Sequence, residues 1–146
     1  MEGGEGAIMA VELDVYIDEA RTPDAAQWQR AIDELGFEVR LDPEWSVDRG
    51  GFVPCTFLVE EDASFELDVS DDFDEGRLAP VPPAVGPRRR VFVFLWRGSS
   101  WDMCCAVAAA AALVAAFDGV AVNPEENAAM SLDDLRRDYA SSLADS

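Results

Sequence analysis

Apolar and polar residues alternate at the start of the ordered pattern, with Val11, Leu13, Val15 and Ile17 on one parity and Glu12, Asp14, Tyr16 and Asp18 on the other. A period of two describes a strand with one face on a core and the other toward water. Ala25, Trp28, Ile32 and Leu35 then recur at intervals of three and four, the stripe of an amphipathic helix. Thr22-Pro23 predicts its start, as N-cap and first helical residue, and Gly36 its end. Phe37, Val39 and Leu41 alternate with Glu38 and Arg40 in a second strand closed by Asp42-Pro43.

The run from Phe52 to Val59 reads as a strand that tolerates Pro54 only near its start or on an edge. Glu61-Asp62-Ala63-Ser64 is a polar turn, and Phe65, Leu67 and Val69 alternate with Glu66 and Asp68 in the returning strand of a hairpin. The proline-rich stretch from Ala79 to Pro87 reads as an exposed loop of polyproline character. Val91 to Trp96 is continuously apolar, as expected of a central strand covered on both faces.

Met103 to Phe117 holds fifteen uncharged, mostly alanine residues, bounded by Asp102 and Asp118. A bilayer span needs roughly 20, so the segment predicts a core helix lying close against a sheet. Gly119 is placed to end it, and Val120-Ala121-Val122 follows as a short strand. Ser131 and Asp134 form a capping box for a last helix, with Leu132, Leu135, Tyr139 and Leu143 along one stripe. The order strand, helix, four strands, helix, strand, helix predicts an α+β fold, with helices packed on a mainly antiparallel sheet. Residues 1–9, acidic and glycine-rich, read as a frayed terminus rather than an export signal, and 10–146 as a single domain.

With 146 residues and 49% hydrophobic side chains, the chain can bury a core without disulfides or metal. The formal net charge is −19, which sets the protein against nucleic acid and anionic membranes and makes a basic partner its natural counterpart. There is no histidine, so Ser-His-Asp and Cys-His nucleophiles and histidine-ligated metals are excluded. Every basic residue is arginine. Cys55, Cys104 and Cys105 are an odd, sparse set that reads as reduced, buried thiols in a cytoplasm.

The charge concentrates in Glu60, Glu61, Asp62, Glu66, Asp68, Asp71, Asp72, Asp74 and Glu75, with no base among them. Such a run is either a solvated hairpin edge protected against edge-to-edge pairing or a binding surface for a basic protein. Asp14 and Asp18, on the outward face of the first strand, extend the same surface, and Trp45 in a polar loop is the candidate exposed anchor. The aspartates from Asp71 to Asp74 miss the calcium-loop pattern, so no metal or cofactor is expected. Arg88-Arg89-Arg90 is too small a cluster for a nucleic-acid footprint and is expected to pair within the chain. Arg97 to Trp101 carries no phosphate-loop pattern and reads as a strand-to-helix turn.

Several stretches together carry a family resemblance: Trp28 through Gly36-Phe37, Gly51-Phe52-Val53-Pro54-Cys55, Phe94-Leu95-Trp96-Arg97-Gly98, and the alanine helix running into Gly119 to Glu126. In these the chain resembles the small acidic α+β immunity proteins that accompany toxins in bacterial polymorphic-toxin and interbacterial-competition systems. The resemblance implies a non-enzymatic protein that binds a cognate toxin and occludes its active site, presenting acidic groups to a basic cleft. A nuclease is one such target, because carboxylates can occupy positions where phosphates sit. Two other readings stay open: a small-ligand or regulatory domain with a pocket between the sheet and the alanine helix, and a carboxylate enzyme.

Overall fold

The computed structural model describes residues 11–48, 51–57, 61–71, 82–97 and 100–144. Over these described residues it is α+β, with a seven-stranded antiparallel sheet and three α-helices. The strands are β1 (Val11–Ile17), β2 (Val39–Leu41), β3 (Gly51–Phe57), β4 (Glu61–Ser70), β5 (Arg90–Trp96), β6 (Val120–Asn123) and β7 (Ala128–Met130), and the helices are α1 (Ala25–Glu34), α2 (Ser100–Ala116) and α3 (Leu132–Ala144). Their order across the sheet is β2-β3-β4-β5-β1-β6-β7. The first strand-helix-strand unit therefore spans the sheet, with β3, β4 and β5 inserted between β1 and β2.

One sheet face carries the core. Leu13, Val15 and Ile17 of β1 share it with Phe92, Phe94 and Trp96 of β5, Phe65 and Leu67 of β4, Val53 and Cys55 of β3, and Val39 and Leu41 of β2. The three helices pack over this face with α2 in the middle, and its residues Cys104 to Leu113 are all buried. Alanine suits that position because its single methyl lets the helix axis approach the sheet and the two flanking helices at once. Trp28 of α1 closes the core from the side. Its ring stands edge-on to Trp45, Phe92 and Phe94, at centroid distances of 4.8, 5.6 and 6.2 Å.

Several boundaries differ from the sequence expectation. The N-cap of α1 is Asp24, in a capping box with Gln27, while the Thr22 hydroxyl donates to the Glu19 carbonyl of a short 3-10 turn, Glu19–Arg21. Glu61 to Ser64 belong to β4 rather than to a turn, because each pairs with β3, from Glu61 opposite Phe57 to Ser64 opposite Pro54. Pro54 thus sits inside β3, but β2 ends at Leu41 opposite Cys55, so beyond that point β3 has no β2 neighbour to demand an N–H. The left-handed residue after α2 is Asp118, with φ 57°, rather than Gly119. Glycine is needed at 119 for space: a Cβ there would lie 2.9 Å from both the Leu113 carbonyl oxygen and Val15 Cγ1. The strand β7, paired with β6 through a turn over Pro124 to Asn127, had no alternating signal to announce it.

Around Ser131 and Asp134 the capping box is formed as expected, with 3.0 Å bonds in both directions. Leu135 and Tyr139 of the α3 stripe are buried, whereas Leu143 is exposed and Ser142 is buried in its stead. Among the described residues, no helix is long and apolar enough to cross a membrane.

Candidate partner-binding face

The second face of the sheet divides into a covered and an open half. Val85, on the 3-10 turn Pro83–Val85, is fully buried against Tyr16, Val91 and Val122. The end of the proline-rich stretch is thus a clasp on the sheet, and Pro82 is buried with it. This contact also accounts for Tyr16, whose parity predicted exposure and which is fully buried. Arg88 fastens the clasp by donating from Nε to the Asp118 carbonyl at 2.8 Å and from Nη1 to the Val85 carbonyl at 3.0 Å, and by an ion pair with the Asp118 carboxylate at 3.2 Å.

Away from the clasp, strand registers place the acidic residues in rows. Glu66 of β4 has Phe52 of β3 directly opposite on one side and Leu95 of β5 on the other, and Leu95 in turn faces Glu12 of β1. The next row runs Asp68, Val93, Asp14, Val122. Strands lie about 4.8 Å apart, so Glu66 and Glu12 flank Leu95 at a separation of about 10 Å. At that distance two carboxylates in water repel by only about 0.4 kcal/mol, whereas a cation seated 4 Å from either gains about 1 kcal/mol. The arrangement is easily tolerated in the free protein and attractive to a cation.

Phe52 is 65% exposed and is the most exposed of the large apolar side chains among the described residues. Leu95 and Val93 are half-buried beside it. Asp62 and Asp68 are exposed on the same face and Glu66 is half-buried. Of the acidic run, Glu60, Asp72, Asp74 and Glu75 lie outside the described residues, and of Glu61 only its place in β4 is described. Asp71, one residue beyond β4, is bound by Arg90, whose Nε reaches Asp71 Oδ1 at 2.7 Å and whose Nη2 reaches Oδ2 at 2.9 Å. The hydrogen-bonded guanidinium holds the Asp71 carboxyl below the usual carboxylate range. Arg90 also reaches Glu19 at 3.2 Å and the Thr22 hydroxyl at 3.0 Å. Two of the three clustered arginines are therefore internal fasteners.

Two expected surface residues are corrected. Trp45 is not an exposed anchor: it is 4% exposed, because the turn after β2 folds it back onto Trp28 and Phe92. Asp14 is not on an outward surface either. It is 3% exposed, in a row between Val93 and Val122 on the two neighbouring strands. Asp18 is exposed, but its carboxylate caps the 3-10 turn by accepting from the Ala20 N–H at 3.0 Å. Sequence reasoning missed Glu12 and Leu95 as members of this face, and above all Phe52. Its signal was available in the alternation with Val53 and Cys55, which assigns Phe52, Pro54 and Thr56 to the face opposite the core.

Other chemistry is sparse. Cys55, Cys104 and Cys105 are free and buried. Burial raises the Cys104 thiol to about 11, and a hydrogen bond with the Cys55 thiol, together with burial, pushes Cys105 far up, so neither Cys104 nor Cys105 is a nucleophilic thiolate near neutral pH. Among the described residues, no group of three or more cysteine or carboxylate side chains is placed to hold a metal ion. Between the sheet and α2 the side chains are buried. Cavities open along the β2 edge, one of about 320 Å³ lined by Phe37, Glu38, Val39 and Thr56 and one of about 410 Å³ lined by Ala25, Gln29, Arg30 and Pro43, with Asp33 and Arg40 common to both. None of the known protein families, curated proteins or solved structures compared with this chain matches it.

Proposed function

We propose that this protein is a non-catalytic acidic binder, an immunity protein that neutralises a cognate toxin by laying the open half of its sheet on a basic surface of that toxin. The observation that carries this reading is the row Phe52, Glu66, Leu95, Glu12, which alternates exposed or half-buried apolar groups with carboxylates across four strands. Apolar residues at the centre of an interface supply affinity, and the surrounding acids supply attraction, register and rapid association with a cation-rich partner. A net charge of −19 extends that attraction beyond contact distance. The sheet supplies rigidity, so the face is organised before the partner arrives.

Such a protein acts in the cytoplasm of the cell that makes the toxin, where its thiols stay reduced. The test is co-purification with the product of the neighbouring gene, followed by titration of the complex with salt. Binding is expected to weaken steeply from 50 to 300 mM NaCl and to fall at least about tenfold when Glu12, Glu66 and Asp68 are replaced together by their amides. A complex indifferent to both salt and these replacements would remove the acidic face from the mechanism.

A further inference from the structure

We propose that Phe52 and Glu66 together form a receptor for an arginine side chain of the partner, in preference to lysine. The inference rests on the proposed acidic binder and specifies what its face selects. The two residues are directly opposite on β3 and β4, where cross-strand side chains stand about 5 Å apart. Phe52 is 65% exposed, so most of its side chain is open to a partner. The short strand β2 ends at Leu41 opposite Cys55, and no described strand flanks Phe52 on its other side. Glu66 has no ion pair among the described residues. On the far side of Glu66, Leu95 offers a half-buried apolar floor.

An aromatic face beside an uncommitted carboxylate matches the two recognition properties of a guanidinium. The planar cation stacks on the ring while its in-plane N–H groups form a fork to the carboxylate, and its methylene stem lies on apolar surface. A lysine ammonium carries the same charge but is compact and strongly hydrated, and it cannot stack and fork at once. Charge alone would treat the two cations alike. The exposed phenyl ring is the element that separates them, and the acidic run without it would be a general cation surface.

The experiment uses the full chain and fluorescein-labelled hexa-arginine and hexa-lysine peptides, with fluorescence anisotropy read at 150 mM NaCl. Wild-type protein is expected to bind hexa-arginine about fivefold more tightly than hexa-lysine. Phe52→Leu is expected to bring that ratio close to one while leaving hexa-lysine affinity nearly unchanged, and Phe52→Trp to keep or widen it. Glu66→Gln should weaken hexa-arginine more than hexa-lysine. Asp133→Asn, an exposed acid on α3, should move both peptides alike. A wild-type ratio near one, or a ratio that survives Phe52→Leu, overturns the receptor. If both peptides then bind equally and depend on Glu12 and Asp68, the acidic-binder reading stands without it; if neither peptide binds, both fall.

Discussion

Trp28 Nε1 donates to the carbonyl oxygen of Ala109 across 2.9 Å, joining α1 to the middle of α2 inside the core. The bond satisfies the one polar atom of a fully buried indole and sets the height of α1 on α2. Trp28→Phe removes this donor and leaves a gap beside Trp45. The expected cost is about 2–4 kcal/mol, read as a fall in the urea midpoint at unchanged slope.

Gln29 occupies the open edge of the sheet. Its side-chain amide donates to the Val39 carbonyl at 2.8 Å and accepts from the Leu41 N–H at 2.7 Å, as a neighbouring strand would. Gln29→Ala is expected to cost about 1–3 kcal/mol and, by uncovering the β2 edge, to promote association at high concentration, followed by light scattering. Gln29→Glu keeps the acceptor for Leu41 but turns a carboxylate toward the Val39 carbonyl, so it too is expected to destabilise.

Two glycines separate conformation from space. At Gly36, φ is 85° and no atom lies within 4 Å of a built Cβ, so Gly36→Ala should cost about 1–2 kcal/mol through backbone strain alone. Gly119→Ala must displace Val15 or the Leu113 carbonyl, with an expected cost of about 1–3 kcal/mol from overpacking. Gly119→Ser should then be worse than Gly119→Ala, whereas at Gly36 the two should be alike.

Acid titrates two aspartates in opposite senses. The Asp71 carboxyl is held low by the hydrogen bond from Arg90, so its contribution is present above the unfolded value near 3.8 and is lost as pH falls through the folded one. At its exposure this contribution is worth less than about 1 kcal/mol. Burial, with Asp134 nearby and only partly offset by Arg137, raises the Asp138 carboxyl; its protonated form favours folding, and that advantage disappears as pH rises. Asp138→Asn is therefore expected to raise the melting temperature at pH 7 and to leave it unchanged at pH 3. An equal shift at both values would contradict the burial assignment.

Period-two and period-3.6 patterning made β1, α1, β2, the half of β4 from Phe65 to Val69, and α3 legible, because each buries one stripe or one face; β3 and β5 were legible as apolar runs, although β5 leaves Val93 and Leu95 only half-buried on the face expected to be covered. The alanine helix was legible from composition and length. What escaped was decided by distant parts of the chain. Trp45 looks like an exposed loop residue until the Asp42 N–H bonds back to the Pro54 carbonyl and the turn closes over Trp28. Asp14 and Tyr16 look solvent-facing until β5 and β6 flank them and, for Tyr16, Val85 settles on top. Within the candidate site, the density of acids was evident, but the juxtaposition of Glu66 with Phe52 on one side and Leu95 on the other is a matter of register, which alternation within single strands does not contain.

The insertion of three strands between β1 and β2 has a bearing on how the chain matures. Val11 pairs with Trp96, and Asp14 with Val122, so β1 must wait for partners synthesised much later than itself. The meander from β2 to β4, by contrast, can zip locally as it leaves the ribosome. Until β5 and β6 arrive, Val15 and Ile17 have no neighbours and the meander has an unfinished edge, the condition in which nascent sheets stick to one another. A dense run of like charge along β4 repels a second nascent copy at that stage. The acids of β4 would thus have a duty before the fold is complete, keeping half-made chains apart.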